Sequence, residues 1–159
     1  MKKYFLLGIL LLAALLRLLT LSKLMVFTPD EEYLLYIAQT LVKNFHIIWI
    51  GVSALGLDFY MGPFWIYIIY PFVAIFHGDP LVLGVMTSIL GVGTTYLLYI
   101  VGRKVFSKNV GLVAALLYAS SALLVFYDQQ PYPPGVPFLS LLMFFALLKT
   151  KESRWWWIA

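Results

Sequence analysis

The sequence predicts an all-α, polytopic transmembrane protein with about four full spans, the start of a fifth, and two interfacial helices in the first extracytoplasmic loop. Three observations carry this. First, of the 159 residues, 63% are hydrophobic and 11% are charged, against about 25% charged in a soluble domain. Second, four long apolar runs carry almost no charge. Third, the charges alternate between the gaps. Six of the seven acids (Asp30, Glu31, Glu32, Asp58, Asp79 and Asp128) fall in one alternate set, and eight of the eleven Lys/Arg (Lys2, Lys3, Arg103, Lys104, Lys108, Lys149, Lys151 and Arg154) fall in the other. Loops rich in Lys/Arg stay cytoplasmic. The pattern therefore puts the N-terminus in the cytoplasm and the first large loop outside, in the cell inner or plasma membrane.

The net charge of +4 reads as a topology signal and not as a nucleic-acid footprint, because the basic residues sit in short gaps beside apolar runs. The absence of cysteine excludes disulfides, thiolate metal sites and a cysteine nucleophile.

The first span covers residues 4–21, too long for the apolar part of a signal peptide and lacking a small-residue cleavage site. Residues 80–102 form the second span, about 35 Å as a helix, enough for a ~30 Å core with tilt. Residues 109–127 and 131–148 form the third and fourth. The run of three tryptophans, Trp155 to Trp157, reads as an aromatic belt opening a further span. On that reading residues 1–159 are one membrane-embedded region, the N-terminal portion of a longer protein.

The apolar run 62–77 is assigned to the outer surface. If it crossed, Arg103, Lys104 and Lys108 would share a side with Asp30, and the charge alternation would collapse. It is also short, about 24 Å as a helix, and Pro71 interrupts it. Trp65, Tyr67 and Tyr70 suit the headgroup boundary. The extracytoplasmic loop, residues 22–79, then holds two interfacial helices. The first covers 31–44, where Leu34, Leu35, Ala38, Leu41 and Val42 make one apolar stripe. Small residues spaced along the second span (Gly84, Ser88, Gly91 and Thr95) favour close helix packing.

The acidic cluster after the first span is the leading candidate for chemistry. Thr28 suits an N-cap, Pro29 the first helical position, and Glu31 the third, so a capping box with acids at the positive helix end explains it structurally. The same residues make a carboxylate pair, Asp30 and Glu31, at the membrane boundary, able to act as a general base or to hold a divalent cation through oxygen ligands. Arg17 interrupts the outer half of the first span. It either snorkels to headgroups or faces protein and serves function, anchoring a lipid phosphate or orienting Asp30. Asp128, Gln129 and Gln130 either make a solvated turn or line the same outer cavity as Asp30. Lys43 complements a helix C-terminus, and His46 and His77 lack metal-site spacing.

The order of these parts resembles the N-terminal third of the GT-C membrane glycosyltransferases, in the branch of the protein O-mannosyltransferases and the lipid A aminoarabinose transferase. The resemblance rests on a first span bearing Arg17, then Pro29, Asp30 and Glu31 opening an amphipathic helix. Gly62 and Pro63 then open an aromatic interfacial helix ending in Phe76 to Pro80, and a long span closes on Gly102, Arg103, Lys104, Val105 and Phe106. It implies transfer of a sugar from a polyprenyl-phosphate donor to a protein, lipid or glycan acceptor on the extracytoplasmic face, with no nucleic-acid partner. It implies Asp30 as the catalytic carboxylate with Glu31 beside it, and Arg17, Asp128 and Tyr60 at the substrate. A basic residue near the start of the second loop helix, present in the aminoarabinose enzyme, has no counterpart here. The competing reading is a non-catalytic polytopic protein, a transporter fragment or helper subunit. A transporter would place ionisable groups near the bilayer midplane of several spans, and residues 80–102, 109–127 and 131–148 hold no Asp, Glu, Lys or Arg.

Overall fold

The computed structural model describes residues 2–53, 60, 62–131 and 135–150. Asp58, Met61, the segment 132–134 and the tryptophan run 155–157 lie outside the described residues. Among the described residues the regular structure is helical, apart from an isolated antiparallel bridge between Ser53 and Tyr60. The helices are α1 (Lys2–Leu19), α2 (Leu21–Leu24), α3 (Pro29–Lys43), α4 (Phe64–Ile75), α5 (Leu81–Val105), α6 (Lys108–Ser120), α7 (Ala122–Tyr127) and α8 (Gly135–Thr150).

The long helix α5 organises the molecule. Among the described residues it is the one helix long and apolar enough to cross a membrane by itself, and the apolar stretches Tyr4–Leu19, Phe64–Ile75 and Pro137–Ala146 are shorter. Its small residues let neighbours approach. A Cβ on Gly84 would lie 2.7 Å from both Leu21 and Met25, and one on Gly91 would meet Arg17 and Asp128. Ile9 and Ala13 of α1 pack with Tyr99 of α5 and with Leu112, Ala115 and Ala119 of α6. Rising numbers on α1 therefore meet falling numbers on α5, and the two run antiparallel.

The same is true of α6, which folds back along α5 through a close glycine contact. A Cβ on Gly102 would lie 2.8 Å from the Gly111 Cα, and one on Gly111 only 2.5 Å from the Tyr99 carbonyl oxygen. Helix α8 runs parallel to α5. Phe138 lies against Gly93, and farther along Lys104 donates to the Leu148 carbonyl at 3.0 Å. The result is four passes of alternating direction: α1, α5, α6 with α7, and α8.

Helices α3 and α4 sit at one end of this bundle. Their apolar stripes (Leu34, Leu35, Ala38 and Leu41 with Ile66, Ile69 and Val73) bury one another against only the first turns of α5, at Val82, Leu83 and Met86. Tyr67 closes the connection by accepting the Ile48 N–H at 2.7 Å and donating to the Ile48 carbonyl at 2.9 Å. Helix α4 has 12 residues, about 18 Å long, well short of a ~30 Å hydrocarbon core.

Two boundaries differ from the sequence expectation. Helix α1 ends at Leu19, and a short α2 follows. The run 109–127 is one span in the sequence but two helices in the structure, because Ser121 adopts an extended backbone (φ −68°, ψ 115°). The break removes the helical N–H partners of the Tyr118 and Ala119 carbonyls. Their replacement is described next.

Candidate functional site

The acidic cluster occupies the first turn of α3, as the local sequence dictates. Thr28 is extended at the N-cap, Pro29 supplies its fixed φ at the first position, and Glu31 completes the capping box. The Glu31 carboxylate accepts the Thr28 N–H at 2.7 Å and also bonds the Thr28 hydroxyl. Glu31 is buried, while Asp30 and Glu32 are exposed. The two members of the expected pair thus take different parts: Glu31 fixes the helix start, and Asp30 presents its carboxylate outward.

Arg17 overturns the phosphate-anchor and snorkelling expectations, because it is fully buried and its guanidinium is saturated from within. Its Nε donates to Asp128 Oδ2 at 2.9 Å, and its Nη2 pairs with the same oxygen at 2.8 Å. Nη2 also donates to the Tyr118 carbonyl at 3.3 Å, and Nη1 to the carbonyls of Ala13 and Ala119 at 3.3 Å each. A guanidinium carries five N–H donors, and five contacts use them. The two acceptors on α6 are the carbonyls released by the break at Ser121. The Tyr118 ring covers the charge, with the guanidinium carbon 5.3 Å from its centroid.

Asp128 is buried as well, so it does not line an open cavity with Asp30. Its second oxygen accepts the Tyr118 hydroxyl at 3.0 Å. Burial pushes its carboxyl above the ordinary range, and Arg17 and then Tyr118 pull it back. The next two residues continue the attachment. Gln129 donates to the Arg17 carbonyl at 2.7 Å and to the Thr20 hydroxyl at 2.5 Å. Gln130 accepts the Val26 N–H at 2.9 Å and donates to the Leu24 carbonyl at 3.2 Å. Residues 128–130 are therefore a clamp on the segment 17–26, which leads directly to Thr28, and not a solvated turn. Sequence reasoning missed Tyr118 and the role of Gln129. The available signals were a phenol inside an apolar run, which needs a partner when buried, and a fully buried amide, which needs acceptors.

Tyr60 is exposed and pairs through its backbone with Ser53. Lys43 and His46 are exposed near the end of α3, and His77 near the end of α4. No set of three or more His, Cys, Asp or Glu side chains converges among the described residues. What the acidic cluster offers chemically is a pair of solvent-facing carboxylates, Asp30 and Glu32, in the first turn of a capped helix held at the end of the bundle where α5 begins.

No curated protein and no solved structure matches the chain. The family model for dolichyl-phosphate-mannose-protein mannosyltransferase matches residues 61–159, from the residue before Gly62 through α4, α5, α6, α7 and α8. The match covers more than half of the sequence and includes Asp128, Tyr118 and the glycine contact between α5 and α6, and on that ground the chain belongs to the dolichyl-phosphate-mannose-protein mannosyltransferase family.

Proposed function

We propose that this chain carries the first catalytic carboxylate of a membrane glycosyltransferase that moves a sugar from a polyprenyl-phosphate donor to an acceptor on the extracytoplasmic face. The family is one of GT-C-type glycosyltransferases and is membrane-integral, and α5 fits a span. In the proposed arrangement α1, α5, α6 with α7, and α8 are four crossings, and α3 and α4 lie on the outer surface. The N-terminus and the gap 106–107 face the cytoplasm.

The observation that supports this reading best is the separation of roles at the start of α3. Glu31 is spent on the cap, and Asp30 beside it is exposed. A lipid-linked donor stays in the bilayer with its phosphate at headgroup depth, so the acceptor hydroxyl must lose its proton at that height. Asp30 takes that proton as the acceptor oxygen bonds to the anomeric carbon. The bond from that carbon to the phosphate oxygen breaks, and the phosphate leaves with the electron pair. General-base catalysis of this kind supplies about 10²–10⁴-fold. Tyr60 offers an exposed ring to the sugar. Arg17 and Asp128 act at a distance, by fixing the segment that delivers α3.

The test is Asp30→Asn in the membrane-inserted protein, assayed by transfer of labelled sugar from a polyprenyl phosphate. Transfer should fall by at least about 100-fold, with helix content and membrane insertion unchanged. Transfer at the unmutated rate would remove Asp30 from the reaction.

A further inference from the structure

A second site lies at the other end of α3. The last turn of α3 and the last turn of α4 flank an open groove of about 310 Å³. Val42, Val73 and Ala74 form its apolar wall, and Lys43 and His77 stand at its edge. Both of these are exposed. Gln39 holds the end of α4 in place by donating to the Gly78 carbonyl at 3.3 Å.

The backbone at His77 is unusual. It is the one non-glycine residue with positive φ among the described residues, at 55°. It sits where a helix commonly ends on a left-handed glycine, followed by Gly78 with φ 78°. The closure is completed by Gly78 N–H to Val73 carbonyl at 3.1 Å. Glycine would close this turn without strain. Histidine adds strain and an imidazole at the groove, an arrangement that points to use of the side chain. The terminal carbonyls that would repel an anion are partly occupied, since Phe72 and Val73 accept from Phe76 and Gly78.

We infer that this groove binds the phosphate of a membrane phospholipid, with Lys43 and His77 on the phosphate and the Val42, Val73 and Ala74 wall against the first carbons of the lipid. Three facts fix the occupant. The groove adjoins the start of α5, at Leu81, where the long apolar helix enters the membrane in the proposed arrangement. Ile75, Phe76 and Leu81 are exposed apolar side chains beside it, as expected at the boundary of headgroups and acyl chains. Lys43 is 13 residues from Asp30 along one helix, about 20 Å. A phosphate held by Lys43 and His77 is too far from Asp30 to be the leaving group of the proposed transfer, so the donor is not the occupant.

The inference rests on the membrane placement of α5, and its exclusion of the donor rests also on the proposed role of Asp30. Loss of the Asp30 assignment would leave lipid retention unchanged, which keeps the two failures distinct. The test uses the full chain in phosphatidylcholine nanodiscs doped with phosphatidylglycerol, with retained lipid counted by native mass spectrometry. The double variant Lys43→Gln, His77→Gly should hold phosphatidylglycerol about tenfold more weakly or worse, since it loses two charge-assisted contacts. His77→Gly preserves the left-handed turn, so circular dichroism should be unchanged. The single variant Lys43→Glu, at an exposed position, gives the same weakening without touching the turn. Retention equal to the parent in either variant overturns the inference. Preferential displacement of phosphatidylglycerol by a polyprenyl phosphate overturns it as well, and makes the groove a donor site.

Discussion

At the scale of single residues, Arg17 and Asp128 decide the most. A guanidinium within an apolar helix costs about 2.5–3.5 kcal/mol to place in a bilayer, and here every donor is matched by an acceptor inside the protein. Breaking such a buried pair by removing one partner costs about 3–5 kcal/mol, whereas replacing both with apolar residues of similar size is often neutral. Asp128→Asn should therefore destabilise the protein by about that amount, and Arg17→Met with Asp128→Leu should recover most of it. Denaturant titration in detergent micelles, followed by helical circular dichroism, measures both. The sequence marked Arg17 as anomalous through its neighbours alone. Its partner was not readable, because the pair is separated by 111 residues and nothing local to Asp128 distinguishes a solvated turn from a clamp. The capping box was readable, since Thr28, Pro29 and Glu31 act within one turn.

At the scale of elements, helix ends and helix crossings carry the design. The amphipathic stripe of α3 follows from periodicity, and α3 and α4 both form and pack together. The division of 109–127 into α6 and α7 does not follow from hydropathy, which reads one continuous apolar run. A serine pair permits the break, and its use emerges only when Arg17 arrives to take the freed carbonyls. The crossing of α5 and α6 depends on two glycines with no room for a side chain. Gly111→Ala would force a methyl against the Tyr99 carbonyl and should cost about 1–3 kcal/mol, read as a lowered unfolding midpoint. Because the opposing atoms are backbone, no rotamer change can relieve it.

At the scale of the whole molecule, the four antiparallel and parallel passes give the two ends different characters. Arg103, Lys104 and Lys108 gather at one end, where Lys104 also reaches α8. The α3–α4 pair with Asp30 and Asp79 occupies the other. That polarity is the physical form of the charge alternation in the sequence, and it predicts accessibility. A cysteine at Ser107 should react with an impermeant maleimide only from the cytoplasmic side, and one at Asn44 only from outside. Labelling at Ser107 from outside, with Asn44 still labelled from outside, would make α4 a crossing. The Arg17 pairing also has a bearing on biogenesis. Acceptors on α6 and Asp128 emerge from the ribosome some hundred residues after the arginine they serve. At ~5–20 residues per second, the nascent first helix waits roughly 5–20 s with an unquenched cation. During that interval the chain must shelter it in water, at the insertion machinery or among headgroups, so final seating of the first segment is deferred until its late-made counterpart has been synthesised.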